Sequence, residues 1–464
     1  MESAHDSLDA RILSRRSFVF GSLATLVLST NIPQVLASPF SSYQQKYDTI
    51  AHKFLEVELD VGVDSSHYRQ LDYIIDTAKR ILVDEKKLVQ SGKEYSPEDI
   101  RLIFETITQM LETMGYKMKP LINPSLFHWG LTERKALNCS DYSIIFVSIG
   151  QVLNIPIKAV LVPDHVFIHG YSSSGIKISY DPQNKMEINE QEGYHISPKS
   201  KKHGIYLRDL TDTELIAISH QNMANFWLNE GKNISFAIAD FNESLRLLPN
   251  DPMGLAGLGY AYYTLGDASS DKDKAQANFR TAVTYFNKSL DSDPDHFKSH
   301  YLLAVAYNSL GDHKKAQESL NEAYRTVSKS IWDHLAILEL SLTFCDHQKV
   351  IQHTEYLFSE ISQARKNKGD NAIFQDVEYP LLLIQGMAYA GLENYEKARE
   401  IFDSLIIKDP NNPNAYLAKS RVYCKMGDQT TARNVYDLAL ANNSIGRPFP
   451  PFEMLCFEKS PCKK

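Results

Sequence analysis

Cys139, His165 and Asp181 are the three side chains whose types and order could support covalent chemistry. A thiolate attacks a carbonyl carbon, an imidazole moves the proton, and a carboxylate fixes the imidazole's tautomer. The run Asn138-Cys139-Ser140-Asp141 stands directly before an apolar stripe of Tyr142, Ile145, Phe146, Ile149, Val152 and Leu153. That 3.6-residue spacing predicts a helix opening at Cys139. A helix N-terminus favours thiolate, because its unpaired N–H groups present positive charge. A structural cysteine would sit on the apolar face with Ile145 and Ile149. A lone cysteine is more often structural, so its partners decide.

His165 and His169 fall four residues apart on one predicted strand and so share a face. Residues 157–162, 166–171 and 176–180 read as strands, with Ser172-Ser173-Ser174-Gly175 as the loop joining the last two. Such a loop pairs Tyr171 with Ile176, which sets His165 opposite Pro182 and one position from Asp181. A three-residue loop would set His165 opposite Asp181 itself. In the same register His169 meets Ile178 or Lys177 and no carboxylate, so His165 is the histidine with an acid to orient it. A zinc site built from Cys139, His165 and His169 is the metal alternative. It is disfavoured because no Cys-x-x-Cys or His-Glu-x-x-His spacing occurs. No metal or other cofactor is expected. His296 and His300, four apart on a helical pattern, read as packing or solvent histidines.

The surrounding elements follow from periodicity. Residues 67–89 carry Leu71, Ile74, Ile75, Ala78, Ile81 and Leu82 at helical spacing. Ser96-Pro97-Glu98-Asp99 has the cap, proline and acids of a helix start, followed by Ile100, Ile103, Phe104, Ile107 and Leu111 as a buried stripe. A turn-rich loop over residues 117–135 contains Trp129.

The second half repeats itself. Leu255, Leu258, Gly259, Tyr262, Ala282, Phe286 and Pro294 form one unit, with an insertion at residues 267–274. Tyr307, Gly311, Ala316 and Ala323 continue it. The best-kept copy is Gly386, Tyr389, Ala398, Phe402 and Pro410, followed by Tyr423, Gly427, Ala432, Tyr436 and Ala439. Ala237, Phe241 and Pro249 make a weaker first unit, and a degenerate pair fills residues 331–362. The pattern resembles the tetratricopeptide repeat, in which small residues let paired helices approach and aromatics fill the space between pairs. That resemblance implies an all-α solenoid with a concave surface for a protein or peptide partner. Tyr260, Tyr263, Lys298, Tyr301, Asn308 and Arg421 fall at positions that face such a surface. Tyr260 and Tyr301 could equally pack between helices.

The earlier segment also carries a resemblance. Cys139, Asp141, Ile155-Pro156, His165 and Asp181-Pro182 match, position by position, the pattern of the transglutaminase-like superfamily, which has a papain-type α+β core. Bacterial members of that group are found joined to tetratricopeptide repeats. The resemblance implies that Cys139 is the nucleophile, His165 the general base and acid, and Asp181 the group that holds the imidazole. It also calls for an oxyanion donor. The Cys139 backbone N–H is the natural choice, with Trp129 or Asn138 as side-chain candidates.

Ser14-Arg15-Arg16-Ser17-Phe18-Val19 resembles a twin-arginine export signal, with an apolar stretch over residues 18–28, Pro33, and a small-residue cleavage site before Ser38. Export would carry the chain to the periplasm, touching the membrane only in transit. It would also permit disulfides. Of five cysteines, Cys456 and Cys462 are near enough to bridge a small loop, while Cys345 and Cys424 fall in helical patterns and read as packed thiols. The net charge is −8, and the short run Lys199 to Lys202 reads as a solvated loop, so nucleic acid is not an expected partner.

The predicted architecture is therefore a signal segment (1–37), an α+β papain/transglutaminase-like domain (38–210), an all-α repeat solenoid (211–442) and a Pro/Cys-containing tail (443–464). Its function is either exported cysteine acyl transfer, as a peptidase, amidase or transpeptidase, with the repeats recruiting the partner, or non-catalytic scaffolding by the repeats.

Overall fold

The computed structural model describes residues 44–118, 126–190, 196, 198–327, 331–368, 372–442 and 451–452. The export segment, the cleavage site and the Cys456–Cys462 pair lie outside them. The chain divides into two compact units that part between Ala316 and Gln317, inside the repeats.

The first unit opens with helices α1 (Ile50–Val57), α2 (Ser65–Lys79) and α3 (Pro97–Thr113). The predicted start of α3 is observed: the Ser96 hydroxyl accepts from the Asp99 N–H and Asp99 reaches back to the Ser96 N–H, with Pro97 in the first turn. The predicted helix over 67–89 ends sooner. It runs regularly to Lys79 and then widens into one π-helical turn, Arg80–Glu85. A two-stranded parallel ribbon, β1 (Lys117–Met118) with β2 (Ala136–Leu137), flanks the short helix α4 (Phe127–Leu131). Helix α5 (Cys139–Leu153) follows.

The sheet is antiparallel, in the order β3 (Ile157–Val162), β4 (His165–Tyr171), β5 (Lys177–Asp181), β6 (Met186–Glu187). Its β4–β5 register pairs Tyr171 with Lys177 and Ile168 with Tyr180. That is one residue beyond the predicted pairing, because the Ser172–Gly175 turn closes with Ile176 outside the ladder. Helix α5 packs on β3 and β4, and Phe54, Phe104, Phe127, Phe146 and Phe167 are fully buried around it. Each such ring contributes on the order of 2–3 kcal/mol by leaving water. Lys199 to Lys202 lie in a short, mostly exposed helix, α6 (Pro198–His203), where a loop was expected.

Helical pairs then begin: α7 (Asp212–Asn229) with α8 (Ile234–Leu247), α9 (Pro252–Asp267) with α10 (Lys272–Ser292), and α11 (Phe297–Ser309) leading to α12 (His313–Thr326). The second unit continues with α13 (Ile331–Thr343), α14 (His347–Lys368), α15 (Ala372–Gly391), α16 (Tyr395–Lys408), α17 (Pro413–Lys425) and α18 (Gln429–Ala441). The repeat pattern has a direct steric meaning. A Cβ on Gly259 of α9 would stand 2.6 Å from the Phe286 ring of α10, and one on Gly386 of α15 would stand 2.5 Å from Phe402 of α16. In both units the first helix gives up its side chain so that the second helix's phenylalanine can lie against its backbone.

Two cysteines differ from expectation. Cys345 and Cys424, expected as packed thiols, are both disulfide-bonded, whereas Cys139 is free. Apolar helical periodicity marks which face is buried and carries no information on which sulfurs meet there.

Candidate functional site

The site is built where the start of α5 meets β4. Asn138 caps α5: its Oδ1 accepts from the Asp141 N–H at 2.9 Å and from the Ser140 hydroxyl at 2.7 Å, while Asp141 accepts from the Asn138 N–H. Its amide oxygen is thus committed to the helix start that presents Cys139. Cys139 is the first residue of α5 and is 8 % exposed, so its thiol lies just beneath the surface.

His165 opens β4. Its Nε2 is 2.9 Å from Asp181 Oδ2, which leaves Nδ1 for the thiol, and Cys139 is within hydrogen-bonding reach of the ring. The observed register puts Asp181 diagonally across from His165 on the same face, and that diagonal is short enough for the two side chains to meet. Asp181 is held in turn: Oδ1 accepts from the N–H groups of Gln183 and Asn184, and Oδ2 from the Asn184 side-chain amide at 2.6 Å. Burial pushes the imidazole toward neutrality, but the hydrogen bond its ring donates to Asp181, followed by the interaction with the Cys139 sulfur, outweighs it and raises the His165 pKa to about 10. Burial would raise the Asp181 pKa too; the hydrogen bond and charge of His165, with Asn184, hold it below the ordinary carboxylate value. The arrangement sets a protonated imidazole between an ionised acid and the Cys139 sulfur.

His169 does not match expectation. It has two carboxylates: Nδ1 lies 2.7 Å from Asp209 Oδ1 and Nε2 lies 2.7 Å from Glu190 Oε1, with the ring 1 % exposed. Tyr171 donates to Asp209, and Lys177 and Ser179 donate to Glu190. Both acids come from beyond the β4–β5 hairpin, which is why strand pairing could not reveal them. His169 belongs to a hydrogen-bonded clamp that ties the sheet to the segment before α7.

Trp129 stands in the seam between α4 and α7. Its ring meets Phe226 edge-on at 5.6 Å and carries the Arg134 guanidinium at 4.7 Å. Helix α4 is itself fixed by the fully buried Glu58, whose carboxylate accepts from the N–H groups of Phe127 and His128 and meets His128 Nδ1 at 2.8 Å.

The six repeat positions are all half-buried. Tyr260 and Tyr263 pack on the Ala282, Phe286 and Leu303 cluster, Tyr263 also reaching Ser309 Oγ at 3.2 Å, and Tyr301 lies against Phe297. Asn308 meets His313 at 3.2 Å, and Arg421 lies on α17. Lys298 reaches back to Asp164 at 2.7 Å, a partner that repeat position alone could not disclose. His296 and His300 are buried packing residues, His300 bonding the Pro294 carbonyl. In the second unit a cavity of about 510 Å³ opens between α14 and α15, lined by Gln348, Ile351, Gln352, Glu355, Tyr389, Leu392 and Asn394. Among the described residues no three His, Cys, Asp or Glu side chains group as metal ligands would.

A family model for the tetratricopeptide repeat matches residues 273–331 and 384–444, which take in α10 to α12 and the end of α15 to α18. Superkiller protein 3 of Schizosaccharomyces pombe is 28 % identical over 120 residues, a match covering 26 % of this chain and 8 % of that protein. Among solved structures, YrrB, described as a repeat protein with an unusual peptide-binding site, shares 13 % identity over 47 % of this chain and 95 % of its own, with a TM-score of 0.30. The pilF protein of Pseudomonas aeruginosa shares 17 % over 51 % and 96 %, with a TM-score of 0.33. The sequence motif, the glycine–phenylalanine packing in both units and the family match agree that residues 273–331 and 384–444 are built as tetratricopeptide repeats.

Proposed function

We propose that the chain binds a protein or peptide partner through its repeats and uses Cys139, His165 and Asp181 for cysteine acyl transfer on it, in the manner of the transglutaminase-like superfamily. The similarities to known proteins bear on the repeats alone, and on them a non-catalytic scaffold is the better-supported half of this reading. Half-buried polar side chains such as Asn308 and Arg421, and the amide-lined cavity beside Tyr389, offer peptide-binding groups.

One observation carries the catalytic half: His165 links a fixed carboxylate to a free cysteine at a capped helix start. In the reaction, the Cys139 thiolate adds to the carbonyl carbon, the His165 imidazolium protonates the leaving amine, and the neutral ring then activates water or a second amine to release the acyl group. The test is labelling of the full chain with an electrophilic peptide probe. Wild type should label at Cys139 while Cys139→Ala and His165→Ala do not. A folded wild-type protein that does not label would leave the scaffold reading.

We further propose export to the periplasm. The Arg15-Arg16 pair motivates it, and the disulfide-bonded Cys345 and Cys424 suit an oxidising compartment.

A further inference from the structure

The β3–β4 connection is a two-residue turn, since Val162 pairs directly with His165 and only Pro163 and Asp164 lie between. Two-residue hairpins favour turns whose first central residue has a positive φ, which proline cannot adopt. Here the positive φ falls on the second, Asp164, at 57°, a conformation that a residue with a side chain adopts reluctantly. Pro163 presets the first central φ, Asp164 carries the left-handed one, and the residue that follows is His165.

A further hold on the Asp164 side chain comes from outside the sheet. Lys298, on repeat helix α11, donates to Asp164 Oδ1 at 2.7 Å. The start of α11 is itself pinned: Asp293 accepts from the Ser200 hydroxyl at 2.6 Å and from the Tyr206 hydroxyl at 2.9 Å, all three being buried. Lys298 thus reaches the turn from a base anchored to the segment that follows the sheet. The pair is partly open to water, the Asp164 side chain being 39 % and that of Lys298 44 % exposed; crowding by the surrounding protein works against ionisation of Asp164, while the charge of Lys298, then of His296, favours it and holds its pKa below the ordinary carboxylate value. The groups facing Asp164 are Lys298 and His296, with Asp251 and Tyr206 in its wider field; those facing His165 are Cys139 and Asp181.

We propose that Lys298 is a positioning residue for His165: through Asp164 it holds the turn that aims the imidazole at Cys139, so that activation of the nucleophile depends on the docked first repeats. This rests on the reading of Cys139 as a nucleophile. It reassigns Lys298 from a partner-binding residue to a part of the site's support.

The experiment measures carbamidomethylation of Cys139 by iodoacetamide, followed by mass spectrometry on the full chain between about pH 5 and 9, a window that spans free-thiol titration. The variants are Lys298→Met, Lys298→Arg, Asp164→Asn and the Lys298→Met/Asp164→Asn double variant, each with its melting temperature. Lys298→Met and Asp164→Asn should each slow alkylation at neutral pH by about 5–10-fold, because a misaimed imidazole no longer holds the thiolate. Their acid limb should move toward the free-thiol range near ~8.5. The double variant should be no slower than the slower single one, since both break one contact. Lys298→Arg should restore most of the rate. A wild-type rate and pH profile in Lys298→Met, or a double variant whose loss is the product of the two singles, overturns the inference while leaving the nucleophile intact. A wild type that reacts only as an ordinary thiol overturns the nucleophile reading and the inference with it. Asp164→Asn removes the same contact from the other side, so misfolding of Lys298→Met would not shelter the proposal.

Discussion

Two histidines four residues apart have opposite surroundings, and each consequence can be measured. His165 is 15 % exposed in its side chain and bridges a thiol to one acid; His169 is buried between two acids with both ring nitrogens engaged. Asp181→Asn should slow labelling of Cys139 without abolishing it, because the amide still occupies the place but no longer supports an imidazolium. His169→Ala should leave Asp209 and Glu190 facing each other without the ring between them. It should cost about 2–4 kcal/mol, read as a lower urea midpoint, with labelling unimpaired in whatever remains folded. Loss of labelling with no loss of stability would instead place His169 in the chemistry. The order Cys139, His165, Asp181 was legible in the sequence, because a helix cap, a strand and a strand end are local patterns. The partners of His169 were not, because Glu190 and Asp209 arrive from segments whose path only the folded chain defines.

At the scale of elements, the start of α5 is the most economical target. Asn138→Ala removes the acceptor for the Asp141 N–H and the Ser140 hydroxyl. It should lower stability by about 1 kcal/mol and slow alkylation of Cys139 as the first turn frays. A normal rate with the expected stability loss would show that the cap has no part in presenting the thiol. In the second unit, His334 and His353 meet Nδ1 to Nδ1 at 2.8 Å between α13 and α14, so one must donate and the other accept. Burial, then the fields of His334 and Lys349, lowers the His353 pKa from the ordinary 6.5 to about 4. Between those values the unfolded chain binds a proton that the folded chain refuses. Stability is therefore kept above the upper value and lost progressively as pH falls toward the lower one. Melts at pH 7 and 5 should show that loss, and His353→Gln should reduce it; an unchanged pH response in the variant would contradict the assignment. Helix periodicity disclosed α13 and α14 despite their degenerate repeat pattern. It could not disclose a histidine pair, which depends on how two helices rotate against each other. The one-residue register error in the hairpin has a similar origin: turn composition fixes where a loop lies, but whether Ile176 joins the ladder is decided by the turn's own hydrogen bonds.

Across the molecule, the first compact unit joins the Cys139 site to the leading repeats, and the second carries the disulfide-bonded Cys345 and Cys424. Replacing these two cysteines by serine should lower the stability of the second unit by about 2–5 kcal/mol while Cys139 labels as before. Loss of labelling on that change would mean that the two units are coupled. If export is right, replacing Arg15 and Arg16 by lysine should leave the precursor in the cytoplasm, where those disulfides would be hard to form. Normal export of that variant would contradict the twin-arginine reading.

In the proposed chemistry Cys139 reacts as a thiolate beside the His165 imidazolium. The pH dependence of its alkylation by iodoacetamide tests this most directly. Wild type should react at rates that stay level well below the free-thiol range near ~8.5, and His165→Ala should return the profile to that of an ordinary cysteine. Superimposable profiles for the two proteins, both rising only near that range, would contradict it.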